Sequence, residues 1–405
     1  MMASGPVNSL KRGGIPRGLS QTAPVLFSYG FRPFFLGATI WAIAGMVLWI
    51  GSLTGIATIA EDYGPAYWHA HEMLFGYSSA VLAGFLLTAV PNWTGRLPVS
   101  GWPLFFLFAV WAAGRLIFLL PDLAGPEIAA VIDSLFLPLL CAICLREVVA
   151  GRKWRDLKVL SGVLALSFGN ILFHIQVVEG MYPELAIKLA VSAYVVLVTI
   201  IGGRIIPSFT RNWIAKTGRT DFPTPYGRFD SLAILSGIAA LFAWIVLGEA
   251  IATAILGFVA FGMHMIRLTR WRGWTTLSEH LVAILHVAYF FVPLGFLGIA
   301  LSSCGLGTPM AALHVLTVGT VASMMLAVMS RATRGHTGRV LTASRTTSAI
   351  YAAIVLAAIV RPLADFLPDY ALHLYVLSGV LWLAAFGLFL VEYGPMLTMV
   401  RRKLP

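Results

Sequence analysis

From about residue 33 to residue 398 the chain alternates long apolar runs with short polar punctuation. Runs of about 20 residues suit helices that cross the hydrocarbon core of a bilayer. Set against their Gly, Pro and charged boundaries, they predict twelve spans: 33–54, 69–91, 102–120, 127–147, 158–178, 184–206, 229–247, 249–268, 280–301, 309–330, 346–366 and 371–398. The expected fold is all-α, a polytopic membrane helix bundle. Residues 32–400 form one transmembrane domain, 1–31 a cytoplasmic N-terminal segment and 401–405 a cytoplasmic tail. No internal repeat is evident, and the start of the chain has no apolar stretch of the kind a cleavable signal needs.

Composition agrees. Of 405 residues 59% are hydrophobic and 11% charged, less than half the roughly 25% charged share of a soluble domain. Mean hydropathy is +0.86. A soluble enzyme and a disordered chain are both excluded. The net charge of +11 invites a nucleic-acid partner, but the distribution of the charge rules that out. Of 28 Lys and Arg residues, 25 lie in the N-terminal segment, the even-numbered loops and the tail, and the odd-numbered loops carry none. The positive-inside rule then puts both termini and every even loop in the cytoplasm, which an even number of spans requires. The basic stretch 207–228 reads as a connector near anionic headgroups of the lipid bilayer. Three cysteines, two of them in Cys141-Ala-Ile-Cys144, do not make a disulfide framework.

The other three cations, Arg115, Lys188 and Arg361, fall inside spans, in their outer halves. A charge there is costly and calls for a partner. Lys188 can snorkel outward or pair with Glu184; Arg115 and Arg361 either pair with carboxylates such as Asp133 and Glu72 or hold the propionates of a bound haem.

Histidines carry most of the remaining information. His69, His71, His174 and His314 share one depth near the outer ends of three spans, and His286 is placed near mid-membrane. Imidazole is the commonest metal ligand, and several at one level on different helices suit a metal or haem inside a bundle. His69 and His71, two residues apart, point about 200° apart on a regular helix. Either the segment is unwound or the two rings serve different sites. Glu72 beside them is a candidate proton donor, or a carboxylate that orients a ligating His. Met324, Met325 and Met329 lie deeper along the tenth span, where packing is the ordinary role.

Ordered blocks along the chain carry a resemblance. They are Gly30-Phe31-Arg32-Pro33-Phe34-Phe35, Trp68-His69-Ala70-His71-Glu72-Met73, Gly84 to Gly95, Gly203-Arg204-Ile205-Ile206-Pro207, Leu285-His286-Val287-Ala288-Tyr289, His314 to Gly319, and Leu326 to Thr333 with Gly335-His336-Thr337-Gly338-Arg339. The sequence resembles the NnrS family of polytopic haem- and copper-containing membrane proteins linked to nitric oxide metabolism. The resemblance implies haem b, copper, and a bacterial inner-membrane protein active in nitric oxide tolerance or denitrification. It carries over His69, His71, His286, His314 and His336 as candidate metal or haem ligands, with His174 in a family-like context; Arg115 and Arg361 stay candidate haem contacts on their depth alone.

Two functions are open on this reading. One is binding or turnover of nitric oxide, with Glu72 as the catalytic group and a redox partner as electron source. The other is a transporter or chaperone supplying copper or haem to other respiratory enzymes. A transport path should line both membrane halves with ligands, whereas a redox site clusters in one.

Overall fold

The computed structural model describes residues 23–61, 63–119 and 121–402. Lys11, Arg12, Arg17 and Lys403, part of the charge pattern above, lie outside the described residues. Regular structure in the described residues is entirely helical. Twelve helical elements follow the sequence: α1 Phe31–Leu53, α2 Pro65–Thr94, α3 Trp102–Ile117, α4 Gly125–Ala150, α5 Leu157–Val178, α6 Glu184–Lys216, α7 Arg228–Leu247, α8 Ile251–Thr269, α9 His280–Ser303, α10 Pro309–His336, α11 Arg345–Leu363 and α12 Ala371–Thr398. Eleven are long and apolar enough to cross a membrane. The exception is α3, whose 16 residues reach about 24 Å at 1.5 Å per residue, short of the ~30 Å hydrocarbon core.

Successive helices pack side by side from α3 round to α12, and α12 closes the ring against α1. Arg32 ties that seam: its Nη1 donates to the carbonyls of Leu397 at 2.7 Å and Met399 at 2.8 Å, taking up acceptors that the end of α12 leaves free. Burial then separates the helices into two shells. The spanning window of α2 is 89% buried, those of α6 and α9 67% and that of α10 61%, against 33–44% for the other spans. The outer helices instead expose apolar side chains such as Leu235, Phe242, Ile255 and Phe258. An apolar outward face is what a lipid-facing surface requires.

Two inner helices share a design that the sequence reading did not detect. In both α2 and α10 the α-helical ladder gives way to π geometry directly after a histidine: at Glu72–Tyr77 after His71, and at Val315–Ala322 after His314. Each π stretch ends at a serine whose hydroxyl bonds the carbonyl five residues back, Ser78 to Met73 and Ser323 to Val318. A glycine stands five residues after each histidine, Gly76 and Gly319. Both helices end in Thr-Gly, with Gly95 at φ 73° and Gly338 at φ 72°, the left-handed conformation that glycine adopts without a Cβ penalty. The histidine, the glycine and the closing Thr-Gly of residues 71–95 and 314–338 thus align without a gap, while the longer π stretch of α10 sets its serine two positions later. Few identities survive, so composition and hydropathy conceal the match, and backbone geometry reveals it.

Candidate functional site: a buried His–Asp–His cluster beside a two-histidine cavity

The α-helical turn Pro65–His71 directs His69 and His71 to different places. His71 is fully buried and faces α3, α4 and α5. Its Nδ1 lies 2.9 Å from Glu72 Oε1, and its Nε2 lies 3.1 Å from Asp133 Oδ2 and 2.9 Å from Asn170 Oδ1. His174, one helical turn beyond Asn170 on the same face of α5, puts its Nε2 3.0 Å from Asp133 Oδ2. Its other nitrogen meets the Tyr63 hydroxyl at 2.9 Å. Burial, then the negative charges of Asp133 and Glu72, push the Tyr63 phenol well above its usual range. It therefore stays a neutral hydroxyl, able to donate to or accept from His174.

One ligand atom each from His71, Asp133 and His174 lies within 4.8 Å of the others, all three residues being buried. Two imidazoles and a carboxylate are a donor set for a borderline divalent ion such as copper or zinc. In its present form both nitrogens of His71 face oxygens that only accept, an arrangement that asks for a proton on each or for a cation between ring and carboxylate. The structure also supplies the outer layer that fixes ligands in place. Asn170 donates to Asp133 Oδ2 at 2.9 Å. Arg115 bridges the two acids, donating to Asp133 Oδ1 through Nη2 and forming an ion pair with Glu72, its Nε 2.7 Å from Oε2. Trp41 Nε1 donates to Glu72 Oε2 at 2.6 Å. With histidines neutral, two carboxylates against one guanidinium leave one negative charge in a dry site. A buried charge is costly unless paired, so either a second proton on His71 or a bound cation completes the balance.

Gly114 allows α3 to approach: a Cβ there would meet the Asp133 carboxylate and stand 3.2 Å from its Cα. Overpacking of this kind costs about 1–3 kcal/mol. Gly114→Ala is therefore expected to lower the thermal midpoint of the purified protein and loosen the cluster, read as lower metal occupancy after dialysis.

His69 turns the other way, into a cavity of about 380 Å³ between α1, α2, α6, α10, α11 and α12. Its ring stacks on Trp49, centroids 4.4 Å apart and 11° between planes, and its buried Nδ1 has no hydrogen-bond partner. His314 lines the same cavity from α10. Its Nδ1 lies 2.9 Å from the Met310 carbonyl, which can only accept. Nδ1 therefore carries the proton and Nε2 keeps its lone pair, the form in which imidazole ligates a metal. The rest of the wall is mostly apolar or aromatic, with Arg361, Tyr375 and the hydroxyls of Ser78, Thr317 and Ser378 as the polar exceptions. Arg361 stacks over the Tyr375 ring at 4.3 Å and holds Asp365 at a long 3.5 Å.

The sequence-derived candidates thus divide. His71, His174 and Glu72 meet at the cluster; His69, His314 and Arg361 meet at the cavity. Arg115 does not reach the cavity as a propionate partner, because Glu72 and Asp133 occupy its guanidinium. Glu72 is no free proton donor, since His71, Arg115 and Trp41 take up both its oxygens. Lys188 pairs with Glu184 at 2.7 Å rather than snorkelling. His286 joins neither group. It sits under two turns into α9, at the end bearing the basic loops and not at mid-span, with Nε2 2.8 Å from Thr210 Oγ1. His336 lies at that same end, between the rings of Tyr29 and Phe31. Asp133 as a ligand, with Asn170 and Tyr63, was missed; the i, i+4 pair Asn170–His174 was the available signal.

No curated protein matches the chain. The family model described as NnrS protein matches residues 25–401, nearly the whole chain, and the protein is a multi-span membrane protein belonging to the NnrS family.

Proposed function

We propose that the protein binds nitric oxide at a haem–copper pair in the outer half of a bacterial inner membrane, with haem b in the His69–His314 cavity and copper at the His71–Asp133–His174 cluster. One observation carries this reading: α2 presents His69 to an apolar cavity that also receives an imidazole from α10, and two residues later presents His71 to a separate buried His–Asp–His cluster. The residues fit both groups. His314 offers a lone pair at Nε2, His69 has an unpartnered buried nitrogen, and Arg361 with Tyr375 offers donors for propionates at the rim. With its histidines neutral the cluster has room for one more positive charge, and copper would take the place of the His71 proton.

Bound haem supplies an iron that ligates a small diatomic gas, and copper supplies a second redox centre. The chain's own residues do the rest. Apolar walls exclude water and admit an apolar gas from lipid. Glu72 and Asn170 hold the His71 ring, Tyr63 holds His174, and Arg115 holds Asp133 and Glu72 at fixed separation. A fixed site is favoured over transport of copper or haem, because every ligand in the cluster is tied to a neighbour and no ligand ladder leads away from it among the described residues.

Haem and copper content of the purified protein tests this. About one of each is expected, with a shift of the haem absorbance on adding nitric oxide to the reduced protein. His174→Ala is expected to lose copper and keep haem. Absence of haem, or a spectrum indifferent to nitric oxide, refutes the reading. Copper that crosses sealed vesicles with the protein favours the transporter instead. Glu72→Gln keeps the shape but weakens the hold on His71. Losing such an outer partner costs about 10–100-fold in metal affinity, measurable by competition with a copper chelator.

A further inference from the structure

A second cavity, of about 350 Å³, lies between the same two inner helices at the end carrying the basic loops. From α2 it takes Thr88, Ala89, Asn92 and Trp93; from α10 it takes Arg331, Ala332, Gly335 and His336. These are the same four positions of the aligned segments, each 243 residues apart. The cavity is thus built into the paired design, on the helices that carry His69 and His314.

We infer that this cavity binds a quinol, as the reductant for the outer site. Three observations select that chemistry. First, the wall is mostly aromatic and aliphatic, with Phe85 and Trp93 edge to face at 6.3 Å and Phe209 opposite. Such a wall accepts a planar ring, and the volume falls in the roughly 300–1,000 Å³ range of small-molecule sites. Second, Arg331 lies over the Phe209 ring at 3.9 Å with no carboxylate within ion-pair distance among the described residues. It is a strong donor aimed at the cavity without an anion to satisfy it. Third, Asn92 donates its amide nitrogen to the Thr88 carbonyl at 2.9 Å, which leaves its side-chain oxygen as an acceptor at the rim. Arg331 and Asn92, both on the cavity wall, therefore offer a ligand one donor and one acceptor. A quinol oxygen, at once acceptor and O–H donor, uses both. A phospholipid phosphate diester only accepts and would leave the Asn92 oxygen facing another oxygen.

The position suits a redox role. Floor and roof of the two cavities are separated along α2 by seven residue steps, from Ser78 to Phe85, and along α10 by six, from Ala322 to Val328. At 1.5 Å per residue that is about 10 Å. A quinol becomes the quinone by giving up two electrons and two protons. Conversion of two nitric oxide molecules to nitrous oxide and water consumes two of each. Only this electron transfer rests on the function proposed above; binding needs no metal.

Decylubiquinol, kept reduced in anaerobic buffer and titrated into the protein in phosphatidylcholine nanodiscs, is the test, by calorimetry and tryptophan fluorescence. Saturable binding is expected, unchanged in protein stripped of metal, with fluorescence quenching reduced in Trp93→Phe. Gly335→Leu fills the cavity without backbone strain, since a Cβ there meets only Leu341 at 3.6 Å. It and Arg331→Gln are expected to weaken binding at least tenfold while the thermal midpoint and outer-site metal content hold. A variant that loses its fold is replaced by Ala332→Leu at the same wall. No saturable binding, or binding indifferent to both substitutions, overturns the inference. So does an anionic phospholipid that co-purifies at one per protein and is lost in Arg331→Gln. Failure here with normal haem and copper leaves the outer site standing; loss of the metals with normal quinol binding does the reverse.

Discussion

Asp133→Ala is expected to be the most damaging single substitution in the protein. The Asp133 carboxylate is the one group shared by every part of the cluster: it accepts from Arg115, His71, His174 and Asn170. Removing it leaves a buried guanidinium with only Glu72 as counter-charge and the Nε2 of His174 without a partner, while His71 keeps only Glu72 and Asn170. Breaking a buried ion pair by deleting one partner costs about 3–5 kcal/mol, a large part of the 5–15 kcal/mol that holds a typical domain together. Low yield, a lower thermal midpoint and absence of the cluster metal are expected together. Asp133→Asn keeps size and some hydrogen bonds but not the charge. It is expected to recover part of the stability and none of the metal. Wild-type copper content in Asp133→Asn overturns the assignment of Asp133 as a ligand.

The second large effect is expected from His314→Ala. Unlike Asp133, His314 is tied to the protein only through Nδ1 and the carbonyl of Met310, so the fold loses little when it goes. The side chain that would hold the proposed haem is gone. Since loss of even an outer-shell partner costs about 10–100-fold, haem content is expected to fall by more than that factor, with cluster metal retained. Free imidazole added to His314→Gly is expected to restore part of the haem absorbance. If both variants keep their haem, the cavity is not its site. A spectrum lost in His314→Ala and kept in His286→Ala separates the two positions that the family resemblance treats alike.

Much of the fold was legible because a bilayer enforces a simple code of length and hydropathy. The span list differs from the observed helices mainly at their ends, and in α3, whose apolar run is long enough but whose helix stops at Ile117. The pairing of site residues was legible only in part. The sequence gives the depth of a side chain but not its azimuth, so His69, His71, His174 and His314 could be grouped by level and not sorted into two sites. Arg115 illustrates the limit. Its span and depth allowed a propionate or a carboxylate partner, and only the approach of α3 to α4 at Gly114 decides for Asp133. Asp133 was seen as an acid at the right level, yet its role as hub depends on three other helices. The α2–α10 correspondence was invisible for a different reason: it resides in hydrogen-bond periodicity, which many side chains can satisfy.

The π turns have a consequence for how these helices tolerate change in length. A π turn holds one more residue than the α turn it replaces, so each helix carries a spare residue at a known place. Deletion of one residue within 73–77 of α2, or within 315–322 of α10, can return the backbone to unbroken α geometry without losing a hydrogen-bond partner. Because the spare residue already sits within one full turn, its removal leaves the two sides of the helix close to their present bearing, and His71 keeps its orientation relative to Asn92 and Trp93. A deletion in the α stretches instead rotates one side against the other by about 100°. Length variants at the two π turns should therefore fold with both ends of the molecule in register, whereas deletions elsewhere in α2 or α10 should turn the two ends out of register.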